Sequence, residues 1–156
     1  MIILGIDPGS THIGYGIISN DKKLALIDYG TIEIGRKRTD LLILEASKKL
    51  ESLIKKHKPG LVGIEKLYFV KNIKTGIEVA QTRGALILEI AKHNIPIKEF
   101  SPSEIKLAVT SYGLADKKSV AKMVAILLGL GKNYLKGHDD ATDALAVAIT
   151  TANNKY

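Results

Sequence analysis

The chain begins with Met1-Ile-Ile-Leu-Gly-Ile-Asp-Pro-Gly-Ser-Thr-His-Ile-Gly-Tyr-Gly16. The apolar run from Ile2 to Ile6 predicts a buried strand, and Asp7 stands where that strand ends. The Pro-Gly-Ser sequence that follows favours a turn, and residues 13–18 form a second apolar run. The stretch therefore predicts a β-hairpin with a carboxylate at the tip of its first strand.

The Asp7 carboxylate has two possible roles in this sequence. It could accept backbone N–H groups within its own turn, as Asp before Gly and Ser often does. Alternatively, it could meet a cation, because the tip of a central strand is where an open α/β sheet places its ligand site. A buried carboxylate is costly unless it meets donors or a cation, so the choice depends on the rest of the chain.

The composition predicts a single domain spanning residues 1–156, with 46% apolar residues and a core of ordinary size. Because the chain has no cysteine, disulfides and thiolate metal sites are excluded. The amino terminus lacks the basic start and long apolar core of a secretion signal. No apolar stretch approaches the roughly 20 residues of a membrane span. We therefore expect a cytoplasmic protein.

The charge is unevenly distributed along the chain. Residues 66–136 carry 12 basic and 5 acidic side chains, whereas residues 137–156 carry 1 basic and 3 acidic side chains. A basic middle segment beside an acidic end suggests a polyanion-binding surface next to a carboxylate cluster. The alternative is a solvated lysine-rich surface of the kind found in heat-adapted proteins.

The remaining elements follow from periodicity and from the residues that begin and end them. A helix is expected to begin at a cap, Thr39 or Asp40, and to end before Pro59-Gly60. Ser101 should cap a short helix that has Pro102 at its first position. The sequence predicts further strands at 24–34, 61–64 and 95–100, and further helices at 73–93, 103–110, 120–128 and 138–150.

The order of these elements predicts an α/β fold built on a mixed five-stranded sheet with helices on its faces. Three strands in a meander are followed by strands that are reached through helices, and such crossovers make the later strands parallel to the first. Glu65 ends the fourth strand as Asp7 ends the first. Strands 1 and 4 are expected to be neighbours, so these two acids should lie close together.

The last helix adds acids that can join this pair. Either Asp140 or Asp139 shares a helix face with Asp143. Four packed carboxylates would repel strongly, and all-oxygen ligands favour Mg²⁺ or Mn²⁺ over zinc. Two such ions about 4 Å apart could support phosphodiester hydrolysis, with Lys117 or Lys118 offsetting developing charge.

Asp139, Glu65 and His138 each have more than one possible role at this cluster. Asp139 could cap the last helix rather than bind a metal. Glu65 could be an ordinary surface residue at the end of a strand. His138 could act as a further ligand or a general base, or it could be a solvated neighbour of the acids.

The chain resembles the RuvC family of Holliday-junction resolvases from about residue 2 to about residue 151. The resemblance rests on Gly5-Ile-Asp-Pro-Gly-Ser10, Ile64-Glu65, Gln81-Thr-Arg-Gly84 and Asp140-Ala-Thr-Asp-Ala-Leu-Ala146. It implies an RNase H-like fold with helices on both faces of the sheet. It also implies a homodimer that makes paired symmetric nicks in four-way DNA junctions, using Mg²⁺ or Mn²⁺, in homologous recombination and DNA repair. A branch-migration helicase is the partner that this resemblance implies.

The same resemblance assigns roles to individual positions. It implies that two metal ions are bound by Asp7, Glu65, Asp140 and Asp143, and that Lys117 assists cleavage. It implies DNA contacts at Tyr68, Lys71, Asn72, Gln81, Arg83, Lys106, Lys117 and Lys118. An aromatic side chain in a lysine-flanked loop suits stacking on a base, although Phe69 beside Tyr68 is expected to pack into the core.

Three rival functions remain open from the sequence. Actin-like ATPases and sugar kinases also open with Asp-x-Gly-Ser/Thr after a first strand, but they need a second such domain, for which this chain is too short. A non-catalytic RNase H-like DNA-binding domain would not need all four acids together. A related nuclease acting on RNA or on other branched DNA is the third rival.

Overall fold

The computed structural model describes residues 1–35, 38–67, 73–131, 134–135 and 138–154. The strands are β1 (Ile2–Asp7), β2 (His12–Asn20), β3 (Leu24–Glu33), β4 (Leu61–Glu65) and β5 (Ile97–Phe100). The helices are α1 (Thr39–His57), α2 (Ile73–Lys92), α3 (Pro102–Thr110), α4 (Lys117–Leu127) and α5 (Asp139–Asn153). The order of strands and helices is the one that the sequence predicts.

The five strands form one mixed sheet in the order β3-β2-β1-β4-β5. β1, β2 and β3 are antiparallel neighbours, whereas β4 is parallel to β1 and β5 is parallel to β4. The predicted mixed sheet and the predicted adjacency of strands 1 and 4 are confirmed. β4 and β5 are both reached through helices, as parallel pairing requires.

The two faces of the sheet pack against different helices. One buried apolar cluster combines sheet residues with α1 and α2, and the other combines them with α3, α4 and α5. β1 divides its side chains between the two by strand alternation: Ile3 belongs to the α5 side, and Leu4 and Ile6 belong to the α1–α2 side. By the same alternation Asp7 faces the side of α5.

Helix α5 lies unusually close to the sheet because glycines face it. A Cβ atom at position 5 would overlap the carbonyl oxygen of Ala144, and one at position 14 would overlap that of Asp140. Almost every residue from Ala141 to Thr151 is buried, with Asp143 half-buried. The first turn of α5 is therefore held against β2, directly beside the end of β1.

Several predicted helix boundaries need correction. Thr39 and Asp40 lie inside α1 rather than at its cap, which is Arg38; its guanidinium pairs with Asp40 at 2.7 Å. Helix α4 begins at Lys117, because Asp116 accepts a hydrogen bond from the Ser119 N–H and caps the helix earlier than predicted. The predicted Ser101 cap is confirmed and forms a capping box with Glu104.

No helix among the described residues is long and apolar enough to cross a membrane.

Candidate active site

Asp7 and Glu65 are brought together by the register of two parallel strands. Ile6 pairs with Ile64, so the next residue on each strand is an acid, and the two acids occupy neighbouring strand ends. Glu65 shares the α5 side with Asp7, because Gly63, two residues earlier, lies against Thr151 and Val147 of α5. The predicted convergence of these two carboxylates is confirmed.

The first turns of α5 supply the remaining acids. Asp140 lies where α5 touches β2, since its carbonyl oxygen is the atom nearest to Gly14, and Gly14 pairs with Asp7 across the hairpin. Asp143 lies one turn further along the helix and is half-buried. The charges of both aspartates, together with that of Glu65, act on Asp7, so the four carboxylates form one electrostatic cluster.

Lys117 is the cation that reaches this cluster. Its Nζ lies 3.1 Å from Asp143 Oδ2 and 3.6 Å from Asp139 Oδ2. Burial alone would lower the pKa of Lys117, but the hydrogen bonds and charge attraction of Asp143 and Asp139 raise it. Lys117 is therefore held as an ammonium ion against the acids by its place in the first turn of α4.

The electrostatics of the cluster favour a bound cation. Burial, followed by the charges of Glu65, Asp143 and Asp140, raises the pKa of Asp7 to about 7. Burial and the charge of Asp143 raise the pKa of Glu65 to about 7 as well. Burial also raises the pKa of Asp143, although the Lys117 contact opposes that rise. One ammonium ion does not compensate these carboxylates at neutral pH.

A cleft of about 240 Å³ opens beside the cluster, between β4, α3, α4 and α5. Its polar lining is made of Glu65, Asp143, Lys117 and Lys106. Lys106 is near enough to lower the pKa of Glu65 by its charge, against the larger effect of burial. An anionic substrate group in this cleft would meet two ammonium groups and would stand next to the acids.

The donor set of the cluster fits a hard divalent cation. Asp7, Glu65, Asp140 and Asp143 offer only carboxylate oxygens, which suit Mg²⁺ and Mn²⁺. Among the described residues, no three of these four bring ligand atoms mutually within 4.8 Å, a spacing that Glu51, Glu89 and His93 achieve elsewhere. Mutual repulsion between uncompensated carboxylates accounts for the wider spacing.

Arg83 makes contacts within the protein. Its Nε donates to the backbone carbonyl of Glu65 at 3.0 Å, and its guanidinium pairs with Glu99 on β5. The side chain is only 16% exposed. The predicted DNA-binding residue therefore supports the end of β4 that carries Glu65.

The other predicted DNA-binding residues fall into two groups. Gln81, Lys117 and Lys118 are exposed, and Lys106 is half-buried in the cleft wall. Tyr68, Lys71 and Asn72, with Phe69, lie outside the described residues. The DNA-binding roles of both groups, including those of Tyr68, Lys71 and Asn72, remain predictions from the sequence.

Two ion pairs of the site were not predicted from the sequence. Asp139 does not cap α5, because it is the first helical residue and His138 occupies the cap position; it instead pairs with Lys117. Glu99 is the carboxylate that holds Arg83. An acid directly before Asp140 was visible in the sequence, but the Glu99 contact depends on the pairing of β4 with β5 and left no local signal.

His138 has an aromatic setting in the described structure. Its ring lies edge-on to that of Tyr29, with centroids 5.4 Å apart, and Tyr134 lies 5.9 Å from Tyr29. The backbone carbonyl of His138 accepts from Thr142 within the first turn of α5. These contacts fix the start of α5, and they give His138 a structural place beside the acids.

Comparison with known proteins agrees with this architecture. Residues 3–151 match the family model described as crossover junction endodeoxyribonuclease RuvC. The RuvC protein of Petrotoga mobilis is 43% identical over 98% of this chain and 94% of its own length. That of Fusobacterium nucleatum is 40% identical over 99% of this chain and 81% of its own length.

The fold also matches that of a solved structure. Thermus thermophilus RuvC in complex with a Holliday-junction substrate superposes with a TM-score of 0.87 and 26% sequence identity. The match covers 96% of this chain and 92% of that one. The mixed sheet, with acids converging at the ends of β1 and β4 and at the start of α5, defines an RNase H-like domain. Within that class, the chain belongs to the RuvC family of crossover junction endodeoxyribonucleases.

Proposed function

We propose that this protein is an endonuclease that resolves four-way DNA junctions through paired symmetric nicks made by metal-dependent phosphodiester hydrolysis. The observation that carries the proposal is the convergence of Asp7 and Glu65 with Asp140 and Asp143 beside a cleft lined by two lysines. Relatives at about 40% identity over nearly the whole chain bear the name of that activity.

The four carboxylates are proposed to hold Mg²⁺, which Mn²⁺ could replace, as two ions per active site. Bound divalent ions would supply charge stabilisation at the attacked phosphate and activation of water. Asp7 and Glu65 would bind from the sheet, and Asp140 and Asp143 would bind from α5. Lys117, an ammonium ion 3.1 Å from Asp143, would place its charge beside the attacked phosphate and stabilise the developing negative charge.

The DNA is proposed to run over the basic surface around the cleft. Lys106, Lys117 and Lys118 come from α3 and α4, and Gln81 comes from an exposed position of α2. Phosphate contacts of this kind would give most of the affinity. Arg83 would contact DNA by exchanging its exposed partner Glu99 for a phosphate, while Tyr68, Lys71 and Asn72 would contact the junction from the segment that precedes α2.

A homodimer is proposed because a two-fold symmetric junction suits a two-fold symmetric enzyme. Helix α2 has an exposed apolar stripe that includes Ile73, Ile77 and Leu88, which are 78%, 54% and 64% exposed. These residues lie on one helix face, opposite the buried Leu86 and Ile90 that pack on the sheet. Contiguous exposed apolar surface of this kind marks an interaction site.

The dimer can be tested without the DNA. Ile77→Glu places a charge in the stripe and should convert the protein to a monomer in sedimentation analysis, with an unchanged circular dichroism spectrum. Leu114→Glu, at a more exposed apolar position near α4, is the control and should stay dimeric. A dimeric Ile77→Glu protein would exclude this face of α2 as the interface.

The cellular setting follows from the substrate. Chromosomal junctions place the proposed activity in the cytoplasm, in homologous recombination and DNA repair. A branch-migration helicase is the proposed partner, because a motor that moves the crossover would present successive sequences to the cleft. Neither proposal is needed for the cleavage chemistry.

The decisive experiment compares a synthetic four-way junction with a linear duplex built from the same arms. Each is incubated with the protein in Mg²⁺, in Mn²⁺ and in chelator, and cuts are mapped on all strands. We expect symmetric pairs of nicks in the junction alone, and only with metal present. Equal cutting of the duplex would replace the proposal with a general nuclease, and tight binding without cuts in several junction sequences would replace it with a binding protein.

A further inference from the structure

A second cluster of metal-ligating side chains lies on the side of the sheet away from α5, where α1 packs against α2. Glu51 from α1 and both Glu89 and His93 from α2 bring one ligand atom each within 4.8 Å of one another. Glu89 and His93 are four residues apart, so they share one helix face directed at α1. None of these residues belongs to the cluster around Asp7.

Glu89 is the unusual member of the cluster. The residue is only 2% exposed, and its Oε1 atom accepts no hydrogen bond of normal geometry from any described residue. The nearest cationic or donor atom given for that oxygen is Nε2 of His93, 3.3 Å away. A buried carboxylate oxygen without a hydrogen bond is costly, so its presence calls for a ligand.

The other oxygen of Glu89 is fully occupied. Ser47 Oγ donates to Oε2 at 2.6 Å, and Lys92 Nζ lies 2.8 Å from the same atom. Burial alone would raise the pKa of Glu89, but the contacts with Lys92 and Ser47 lower it, so the group is an anion. These contacts fix the carboxylate in one orientation, with Oε1 directed at His93.

Glu51, like Glu89, is paired with a lysine through one carboxylate oxygen. Its Oε1 lies 2.6 Å from Lys55 Nζ, one turn along α1, and one of its carboxylate oxygens lies within 4.8 Å of the ligand atoms of Glu89 and His93. The contact with Lys55 lowers the pKa of Glu51, which is therefore also an anion. Glu51, Glu89 and His93 thus each offer one ligand atom to a shared ion.

We propose that Glu51, Glu89 and His93 form a binding site for a zinc-class divalent transition metal that joins α1 to α2. Zinc is bound at about 2.0–2.2 Å by imidazole and carboxylate ligands, so atoms already within 4.8 Å need shifts of less than about 1 Å. An imidazole ligand selects zinc, nickel or copper over Mg²⁺. The site therefore differs in metal preference from the all-oxygen cluster at Asp7.

The test is a Zn²⁺ titration by calorimetry, carried out in an Asp7→Asn background that weakens the all-oxygen site. We expect one Zn²⁺ per chain, unaffected by millimolar Mg²⁺. His93→Gln and Glu51→Gln, both at half-buried positions that should tolerate the change, should each weaken binding at least about 10-fold. His12→Gln removes an exposed imidazole elsewhere and should bind Zn²⁺ as the background does.

A second readout is thermal unfolding with and without Zn²⁺. Saturating Zn²⁺ should raise the Tm of the Asp7→Asn protein by roughly 5 °C, and it should leave the Tm of Asp7→Asn combined with His93→Gln unchanged. Undiminished Zn²⁺ affinity in either His93→Gln or Glu51→Gln would overturn the proposal. Displacement of Zn²⁺ by equal concentrations of Mg²⁺ would also overturn it. Junction cleavage by His93→Gln in Mg²⁺ should match that of the wild type.

Discussion

The α5 side of the sheet carries Asp7 and Glu65, whereas the α1–α2 side carries Glu89. The pKa values of these acids are shifted in opposite directions. Burial and neighbouring carboxylates raise the pKa values of Asp7 and Glu65 to about 7. Lysine and hydroxyl contacts lower the pKa of Glu89, although burial opposes them. Lys92 and Ser47 hold Glu89 as an anion on the α1–α2 side, whereas the carboxylates on the α5 side stay uncompensated where the proposed chemistry occurs.

Strand alternation allows one short strand to contribute both to an apolar core and to the charged cluster. Successive residues of β1 point to opposite sides, so Ile6 can fill an apolar core while Asp7 joins the charged cluster. β4 repeats this arrangement with Ile64 and Glu65. Substitutions at neighbouring positions of one strand should therefore separate catalysis from stability.

The largest effect is expected from Glu65→Gln, which keeps the shape of the side chain and removes its charge. Loss of a metal ligand should reduce junction cleavage at least about 1000-fold, because bound cations supply several kcal/mol of transition-state stabilisation. Junction affinity should change less than about two-fold. The measurement is single-turnover cleavage together with a gel-shift titration.

Ile64→Val is the matched control for Glu65→Gln. It removes one methylene from the fully buried opposite side and should cost about 0.5–1.5 kcal/mol of unfolding free energy. Its cleavage rate should stay within about three-fold of the wild type. If Ile64→Val lost cleavage as Glu65→Gln does, the two sides of β4 would not be functionally separate.

Lys117→Ala should have the next largest effect, with cleavage reduced roughly 100-fold because a cation facing the developing charge is lost. Lys118→Ala, one residue later and exposed, should weaken junction binding modestly and leave the cleavage rate of bound junction unchanged. Single-turnover rates at saturating protein separate the two effects. Equal losses in both variants would mean that Lys117 acts only by attracting DNA.

The pH dependence of stability should expose the uncompensated charge at Asp7. Its pKa is about 7 in the folded protein and 3.8 as an isolated group, so the unfolded state loses its proton first as pH rises. The native state is therefore progressively destabilised between about pH 4 and pH 7, and the penalty is complete above pH 7. In metal-free buffer at pH 8, Asp7→Asn should be more stable than wild type by on the order of 2–4 kcal/mol.

Denaturant unfolding at pH 4 and at pH 8 measures this difference directly. At pH 4 the wild-type Asp7 should be largely protonated, and the advantage of Asp7→Asn should nearly vanish. Asp40→Asn is the control, because the Arg38 guanidinium lowers the pKa of that exposed acid. A stabilisation by Asp7→Asn that does not depend on pH would show that charge is not its cause.

Gly14→Ala tests how closely α5 must approach the sheet. A methyl group there would overlap the carbonyl oxygen of Asp140, so the start of α5 must shift. We expect a loss of about 1–3 kcal/mol in unfolding free energy and a fall in cleavage that exceeds any fall in junction binding. Gly84→Ala, where a Cβ meets no neighbouring atom within 4 Å in the monomer, should not lose stability and should gain about 0.5–1 kcal/mol of unfolding free energy from helix propensity.

The smallest effect on junction binding and cleavage is expected for Arg83→Ala. This variant distinguishes a phosphate-binding role of the guanidinium from its role in holding the Glu65 carbonyl. Arg83→Ala should reduce the slope of log affinity against log salt by about 1 if the guanidinium meets a phosphate. If its role is to hold the Glu65 carbonyl, the salt slope should stay constant while cleavage falls. Glu99→Gln, which frees Arg83 from its ion pair, should strengthen junction binding in the first case only.

Much of the fold could be predicted because its signals are local. Apolar runs that end in Asp7 and Glu65, and the change from a hairpin to helical crossovers, were sufficient for the mixed sheet, for the adjacency of strands 1 and 4 and for the convergence of the two acids. The choice of Asp140 over Asp139 depended on the resemblance to the family. The position of Asp140 against Gly14 and the pairing of Asp139 with Lys117 are consistent with that choice.

The remaining features depend on tertiary contacts that have no local signal. Helix α4 begins at Lys117, three residues before the predicted start at 120, and its cap at Asp116 was not predicted. The contact of Arg83 with the Glu65 carbonyl requires α2 to lie along β4. The cluster of Glu89 with residues of α1 likewise becomes visible only when the two helices pack together.

Whether the carboxylates on the α5 side are the cleavage centre is tested by the cutting of a four-way junction by wild-type and Asp7→Asn proteins at equal occupancy in Mg²⁺. We expect symmetric paired nicks with the wild type, and no nicks with Asp7→Asn despite equal junction affinity. Paired nicks by Asp7→Asn at the wild-type rate would show that the uncompensated carboxylates on the α5 side are not the cleavage centre.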